Sequence, residues 1–255
     1  MLAVERRLRI EEIITDTKSV MVTDLAKQFD VTPETIRGDL LKLEKQGVLV
    51  RTYGGATLAG ASGSELGFKE RDTINAEAKQ KIGQRAAQLI KNGETIFLDA
   101  STSALHLARN IKEKKGLTVI TNAVSIMSEL ADCDNIRLVC TGGQYLPKNM
   151  SYNGRYAEKM IRENFAANKF FFSCRGVTLS RGLVDSTEDE AELKRAMLDS
   201  SESVIFLCDR YKLGKMGIPV IAELDRLDVF ITDVRLDSEW SKALEEKDIN
   251  VITVE

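Results

Sequence analysis

Small polar and charged residues that are suited to anion binding follow several apolar segments in the second part of the chain. Backbone N–H groups and hydroxyls at the start of a helix donate hydrogen bonds to an anion, and glycines let the backbone approach it. With two cationic side chains added, the set suits a phosphorylated, hydroxyl-rich small molecule. The candidate effector-binding residues are Asp99, Ser101, Thr102, Ser103, Thr121, Asn122, Gly142, Gly143, Arg175, Gly176, Asp209 and Lys212.

Taken singly, each of these residues also has an ordinary structural explanation. Ser101 fits a plain helix cap, and the glycines at 142–143 fit a plain turn. Arg175 is as well suited to a salt bridge with Asp185 or Glu188. Agreement among five segment ends is what favours a ligand site.

A second set of residues, near the start of a short helix in the first part of the chain, is suited to DNA. Arg37 is the strongest candidate, because a guanidinium holds a guanine edge through two hydrogen bonds or binds a phosphate. The alternative is a surface ion pair of Arg37 with Asp39 or Glu34. The candidate DNA-binding residues are Thr32, Glu34, Thr35, Arg37, Lys42 and Arg51.

The elements around this helix follow in the order helix, helix, four-residue turn, helix and β-wing. The spacing predicts a first helix that ends near Thr17, with its apolar side formed by Val4, Leu8 and the isoleucines at 13–14. It also predicts a second helix capped by Thr23 and a third helix capped by Thr32. This order is typical of a winged helix-turn-helix, whose second motif helix enters the major groove. A small helical bundle for protein contacts is the alternative. The third helix is predicted to bury Ile36, Leu40 and Leu43.

From residue 74 onward, apolar strand-like segments alternate with helical stretches. Near-continuous apolar strands indicate a largely parallel sheet covered on both faces, with ligands beyond the carboxyl ends of the strands. The charged helix at 188–198 is predicted to form a solvated or subunit-facing surface. The fold class is therefore α/β: a winged helix-turn-helix domain at 1–57, a linker at 58–73, and a larger domain with a mainly parallel sheet at 74–255.

Composition excludes several classes of protein. The chain has 255 residues, of which 43% are hydrophobic and 29% charged, the balance of a globular protein. His106 is the only histidine and the four cysteines form no C-x-x-C pair, so we expect neither a zinc site nor Ser-His-Asp chemistry. No segment approaches the roughly 18 uncharged residues of a membrane span. We expect a cytoplasmic protein that needs no metal or cofactor.

The charge balance constrains any binding to nucleic acid. The chain has 36 Lys+Arg against 39 Asp+Glu, a net charge of −3, so it has no global attraction to DNA. DNA binding would have to come from clustered local contacts and from more than one copy of the chain, with marked salt sensitivity.

These residues resemble the DeoR family of bacterial transcription regulators. The resemblance implies that the domain at 74–255 senses an effector and oligomerises. It also implies a fold similar to ribose-5-phosphate isomerase and glucosamine-6-phosphate deaminase, in which the residues above line a sugar-phosphate site. Family members usually carry two adjacent arginines in the third helix, and Gly38 replaces the second. Ser101 stands where many members have glycine. The segments that carry the resemblance are Asp24-Leu25-Ala26, Val31-Thr32-Pro33-Glu34-Thr35-Ile36-Arg37, Gly54-Gly55-Ala56, Thr121-Asn122, Gly142-Gly143 and Asp209-Arg210-Tyr211-Lys212.

The sequence thus predicts a transcription regulator, not an enzyme, that represses a sugar-uptake or sugar-catabolism operon. Its expected partners are double-stranded operator DNA, a phosphorylated sugar effector that changes DNA affinity, and further copies of the chain in a dimer or tetramer; no membrane is expected. One alternative is a sugar-phosphate isomerase or deaminase with an accessory DNA-binding domain. Another is a constitutive DNA-binding protein whose second domain only oligomerises.

Overall fold

A computed structural model describes residues 1–58 and 66–254. The chain divides into two compact units, Met1–Asn75 and Ala76–Glu255. The predicted linker at 58–73 falls partly on residues 59–65, which lie outside the described residues, and it ends in a short helix, Phe68–Thr73.

The first unit combines short helices with a three-stranded antiparallel sheet. The sheet order is β1-β3-β2, so the last strand lies between the other two. Its elements are α1 (Ala3–Thr17), β1 (Ser19–Met21), α2 (Val22–Phe29), α3 (Pro33–Lys45), β2 (Leu49–Thr52), β3 (Gly55–Leu58) and α4 (Phe68–Thr73).

Helix α3 begins and packs as its sequence predicts. The Thr32 side chain accepts a hydrogen bond from the backbone N–H of Thr35, and Pro33 occupies the first helical position. Ile36, Leu40 and Leu43 are fully buried, which confirms the predicted core side of this helix.

Two predictions about the other helices of this unit are wrong. Helix α1 ends at Thr17 and buries Ile14, as predicted, but Val4 and Leu8 are 61% and 58% exposed, and its other buried residues are Arg6 and Ile10. Helix α2 starts at Val22 with no side-chain cap, so Thr23 lies inside the helix. The reason is strand β1, which pairs with β3 up to Met21 and fixes the backbone immediately before the helix.

The second unit is built on a seven-stranded sheet in which every neighbouring pair is parallel, as predicted. The strand order is β15-β14-β12-β9-β4-β5-β6. These strands are β4 (Thr95–Leu98), β5 (Leu117–Thr121), β6 (Ile136–Cys140), β9 (Ala167–Phe172), β12 (Ser201–Cys208), β14 (Val229–Thr232) and β15 (Asn250–Thr253).

Helices and small sheets complete this unit. A hairpin joins β7 to β8, and β10-β11-β13 form a separate antiparallel sheet. The further elements are α5 (Ala76–Ala87), α6 (Thr102–Arg109), α7 (Val124–Leu130), β7 (Gln144–Leu146), β8 (Ser151–Asn153), α8 (Arg155–Asn164), β10 (Gly176–Thr178), β11 (Gly182–Val184), α9 (Glu188–Asp199), β13 (Val220–Ala222) and α10 (Ser238–Glu245).

Fully buried phenylalanines hold the centre of the large sheet together. Phe170 and Phe172 stack with ring centroids 4.6 Å apart, and the contacts continue through Phe206 to Phe230. Because the strands are parallel, their carboxyl ends lie at one edge of the sheet. Asp99, Ser173 and Asp209 follow three of those ends directly.

Residues 1–58 and 66–254 contain no helix that is long and apolar enough to cross a membrane. None of their His, Cys, Asp and Glu side chains form a group of three or more that would hold a metal ion.

Candidate functional site

The exposed start of α3 carries the first group of candidate DNA-binding residues. Thr32, Glu34 and Arg37 are exposed and Thr35 is half-buried. The Arg37 guanidinium donates a hydrogen bond to Glu34 Oε2 at 2.6 Å, so the ion pair considered from the sequence is present. These side chains are 56% and 80% exposed, and such surface pairs contribute little free energy. The pair therefore leaves Arg37 able to exchange Glu34 for an anionic partner.

The other two candidates lie farther along the same unit. Lys42 is exposed in the last turn of α3. Arg51, on β2, donates from Nε to Glu44 Oε2 at 2.7 Å, and its backbone N–H donates to Glu44 Oε1 at 2.9 Å. Glu44 thereby ties the wing strand to α3. At the turn that follows, Tyr53 is fully exposed, a feature that the sequence analysis did not single out.

A buried ion pair that the sequence analysis missed holds α3 against α1. Arg6 donates from Nε to Asp39 Oδ2 at 2.6 Å, and Arg7 donates to Asp39 Oδ1 at 3.3 Å. The side chains of Arg6 and Asp39 are 9% and 5% exposed. Asp39 is therefore not the partner of Arg37. The signal that the sequence offers for this pair is the position of Asp39 among the buried apolar residues of α3.

In the second unit, a buried network surrounds the end of β4. Ser101 Oγ donates to Asp99 Oδ1 at 2.6 Å and accepts from the backbone N–H of Ala104 at 3.1 Å, so Ser101 does cap α6. The backbone N–H of Ser173, at the end of β9, donates to Asp99 Oδ2 at 3.4 Å. Thr102 is buried as the first residue of α6, and Ser103 Oγ is buried without a hydrogen-bond partner.

The ends of β5 and β6 contribute buried amide and glycine groups. Asn122 Nδ2 donates to Asn153 Oδ1 at 3.1 Å, while Asn122 Oδ1 is buried without a partner. Thr121 Oγ1 accepts from the backbone N–H of Ala123 at 3.1 Å. Gly142 and Gly143 have φ values of 66° and 115°, so a sharp turn by itself accounts for both glycines.

Lys194 lies on α9, the helix that was predicted to form a solvated or subunit-facing surface. In the structure this lysine is buried. Its Nζ lies 2.5 Å from Asp185 Oδ2 and 3.4 Å from Asp99 Oδ2. Burial by itself would lower the pKa of Lys194, but the two carboxylates outweigh it and raise that pKa. Burial raises the pKa of Asp99, against the opposing charge of Lys194. The network thus joins β4 to α9 through charged groups.

The same contacts show whether Arg175 forms the salt bridge with Asp185 or Glu188 that was the alternative to ligand binding. Asp185 is bound by Lys194, and Glu188 pairs with Arg195 at 3.0 Å. Arg175 makes no hydrogen bond or ion pair with any residue in the described ranges, so the predicted alternative salt bridge is absent from them.

The last predicted residues lie between β9 and the turn after β12. Asp209 accepts from the backbone N–H of Tyr211 at 3.1 Å. Lys212 Nζ donates to the backbone carbonyl of Cys174 at 2.7 Å. Burial raises the pKa of the Cys174 thiol to about 12, so this cysteine is protonated and unreactive at neutral pH. Gly176 begins β10 immediately beyond Arg175.

Polar groups near the ends of β4, β5, β9 and β12 thus form three sets of largely buried contacts. The structure brings Asp99 into contact with Ser101, Ser173 and Lys194. It also brings Lys212 to Cys174, and Asn122 to Asn153. This arrangement provides cations and hydrogen-bond donors, which bind an anionic group, and unsatisfied oxygens, which accept hydrogen bonds from the hydroxyls of a ligand.

Two family models match the chain. The DeoR-like helix-turn-helix domain matches residues 6–61, and the DeoR C terminal sensor domain matches residues 74–234.

Curated relatives match over nearly the full length. The chain is 40% identical, over 100% of its length and 98% of the relative, to a Bacillus subtilis protein named as an uncharacterized HTH-type transcriptional regulator, YulB. It is 32% identical, over 91% of its length and 92% of the relative, to the L-fucose operon activator of Haemophilus influenzae.

Among solved structures, ribose 5-phosphate isomerase A from Methanocaldococcus jannaschii matches 55% of each chain with 16% identity and a TM-score of 0.41.

The family models and the curated relatives together place the protein in the DeoR family of HTH-type transcriptional regulators, which bind DNA and are not enzymes.

Proposed function

We propose that this regulator represses a sugar-uptake or sugar-catabolism operon and that a phosphorylated sugar, bound in the second unit, lowers its affinity for double-stranded operator DNA. The observation that carries the effector part is a set of buried oxygen atoms without hydrogen-bond partners. They are Thr232 Oγ1 at the end of β14, Asn122 Oδ1 directly after β5, and Ser103 Oγ in the first turn of α6, the helix that follows β4.

Such atoms indicate a missing ligand because an unsatisfied buried polar group costs about 1–3 kcal/mol. A hydroxyl-rich ligand satisfies these oxygens, and Arg175 and Lys212 supply positive charge for its anionic group. The relative whose name refers to an L-fucose operon supports a sugar as the ligand class.

The DNA part rests on the start of α3. Thr32, Glu34, Thr35 and Arg37 lie where a recognition helix presents side chains to base edges. Lys42 and Arg51 are suited to phosphates of the backbone. Because residues 1–55 contain nine basic and nine acidic residues, a dimer or tetramer is needed to concentrate enough contacts on one operator.

Coupling between effector and DNA requires that the effector bind two quaternary arrangements with different affinity. A coupling free energy of about 1–3 kcal/mol changes DNA affinity by about 5- to 150-fold, which is enough to empty an operator. The site of action is the cytoplasm, where the DNA and the phosphorylated sugars are found together.

Fluorescence anisotropy on the DNA upstream of its own gene, with a salt series and a panel of sugar phosphates, tests this proposal. We expect tight, salt-sensitive binding that one sugar phosphate weakens. Arg37→Ala should weaken binding at least about tenfold, the loss expected for one bidentate base contact.

Arg9→Ala is the matched control, because Arg9 also forms an exposed ion pair with a glutamate three residues away, on α1. We expect it to bind as the wild type does. Equal losses in the two variants would contradict base reading by Arg37. Binding no tighter than to a scrambled duplex would refute an operator at that DNA, and promotion of transcription in a reporter strain would make the protein an activator.

A further inference from the structure

The segment at 213–217 is held directly against the strand that follows Arg175. Leu213 forms an isolated parallel β-bridge with Val177, and the backbone N–H of Gly214 donates a hydrogen bond to the Val177 carbonyl at 2.8 Å. A Cβ placed on Gly176 would lie 2.3 Å from the Lys215 carbonyl oxygen and 2.6 Å from Lys215 Cβ. Gly176 is therefore required because the backbone of Lys215 lies against it.

This packing places three cationic residues beside the turn that follows β9, close enough for Lys212 and Arg175 to act electrostatically on Lys215. Arg175 precedes Gly176 in sequence, and Lys212 reaches the Cys174 carbonyl at 2.7 Å. The backbone N–H of Lys215 donates to the Lys212 carbonyl at 3.3 Å. Lys215 is half-buried. It was not among the candidate residues that the sequence predicted.

The acids around this cluster are engaged by other groups. Asp185 binds Lys194, Asp233 binds Arg210 at 2.9 Å, and Asp209 accepts from the backbone of the turn. Within the described ranges, the side chains of Arg175 and Lys215 make no hydrogen bond and no ion pair.

The electrostatics agree with this arrangement. Burial, together with the charges of Lys212 and Arg175, lowers the pKa of Lys215 to about 8, although Asp209 acts in the opposite direction. The neighbouring Cys174 thiol stays neutral in this range, since burial raises its pKa to about 12. The positive charges of Arg175, Lys212 and Lys215 repel one another. A bound anion would offset this repulsion.

We propose that Lys215 completes an anion subsite with Arg175 and Lys212, which receives a tetrahedral dianion such as the phosphate of the effector. The proposal rests on the proposed function, because it assigns one end of the same effector site. It adds a regulatory property: anion affinity falls as Lys215 loses its proton, between about pH 7 and pH 9.

Isothermal titration of the full-length protein tests the subsite, with inorganic phosphate as the probe at fixed pH. We expect Lys215→Gln to weaken phosphate binding about tenfold or more, because one charge-assisted hydrogen bond is lost. Lys215→Arg should bind nearly as the wild type does. Lys242→Gln, which removes one exposed positive charge from α10, is the matched control and should have no effect.

The pH arm uses sulfate in place of phosphate, since sulfate stays dianionic from pH 6 to 9, with chloride at equal ionic strength as the reference. Wild-type affinity for sulfate should fall about tenfold from pH 7 to pH 9, as the protonated fraction of Lys215 falls. The affinity of Lys215→Arg should stay level, since arginine keeps its charge. A merely structural lysine would not produce this difference.

Equal phosphate affinity in wild type and Lys215→Gln, or equal pH profiles in wild type and Lys215→Arg, would overturn the proposal. So would the absence of any phosphate or sulfate binding. The proposed function is tested separately by the anisotropy panel: a sugar phosphate that releases DNA equally well from wild type and Lys215→Gln would refute the subsite and leave the regulator intact.

Discussion

Gly38 lies inside α3, on the exposed face that is proposed to meet DNA. A Cβ placed there meets no heavy atom within 4 Å outside the helix itself. An alanine therefore creates no clash, and it removes the conformational entropy that a glycine loses in a helix interior. We expect Gly38→Ala to raise the free energy of unfolding by about 1 kcal/mol, measured by urea unfolding of the full-length protein.

Gly83, in α5, is the matched control for this prediction. Its added Cβ would lie 2.7 Å from the backbone carbonyl carbon of His106, so the same substitution forces the two helices apart. We expect Gly83→Ala to lower stability by about 1–3 kcal/mol. If Gly38→Ala also destabilised the protein, the open space seen at Gly38 would be wrong and the reasoning would fail.

Substitutions at Gly38 also distinguish two effects on DNA binding. Because the space around Gly38 is open, we expect Gly38→Arg to add a phosphate contact and to steepen the slope of log K against log salt by about 0.9 for each DNA-bound copy. Gly38→Ala should leave DNA affinity unchanged. A stable Gly38→Ala variant that binds DNA more weakly would instead mean that the backbone at Gly38 approaches the duplex closely.

Two further predictions concern buried charge. Asp39→Asn leaves Arg6 buried without its counter-ion, so we expect a loss of about 3 kcal/mol in urea unfolding, together with weaker operator binding in anisotropy; a loss within error of zero would contradict the buried pair. Lys215, with a native pKa of about 8 against about 10.4 in the unfolded chain, should make stability rise with pH between these values, because the unfolded state then holds more protons. Urea unfolding from pH 7.5 to 10 in the absence of anions should show that Lys215→Gln loses this rise, and parallel profiles would refute it.

The sequence predicts the core of the first unit well where the signal is local. The spacing of Ile36, Leu40 and Leu43 identifies the buried side of α3, and Thr32-Pro33 identifies its start. The start of the buried side of α1 is not predicted, because the burial of Arg6 depends on a carboxylate 33 residues away. Strand β1 has three residues, too few for an alternating pattern, and its effect on the start of α2 appears only in three dimensions.

The second unit shows the same division between local and long-range information. Continuous apolar strands predict a parallel sheet, and parallel strands place their polar ends at one edge. The sequence therefore predicts that Asp99 and Asn122 lie at this edge. It does not predict the positions of Lys194 and Lys215, because a lysine in a charged helix or a polar loop normally extends into solvent. Only the packing of α9 buries Lys194, and only the packing of the segment after β12 half-buries Lys215.

The net charge of −3 need not weaken anion binding, because the acids that lie near the candidate sites have other partners. Asp39 is buried against Arg6, and Asp185 against Lys194. Such buried pairs are costly to separate, so these carboxylates do not compete for nearby cations. Arg37 has only an exposed partner, whose contribution is small. The local potential at each proposed anion-binding surface is therefore set by a few cations with weak partners or none, and substitutions there should change binding far more than the net charge suggests.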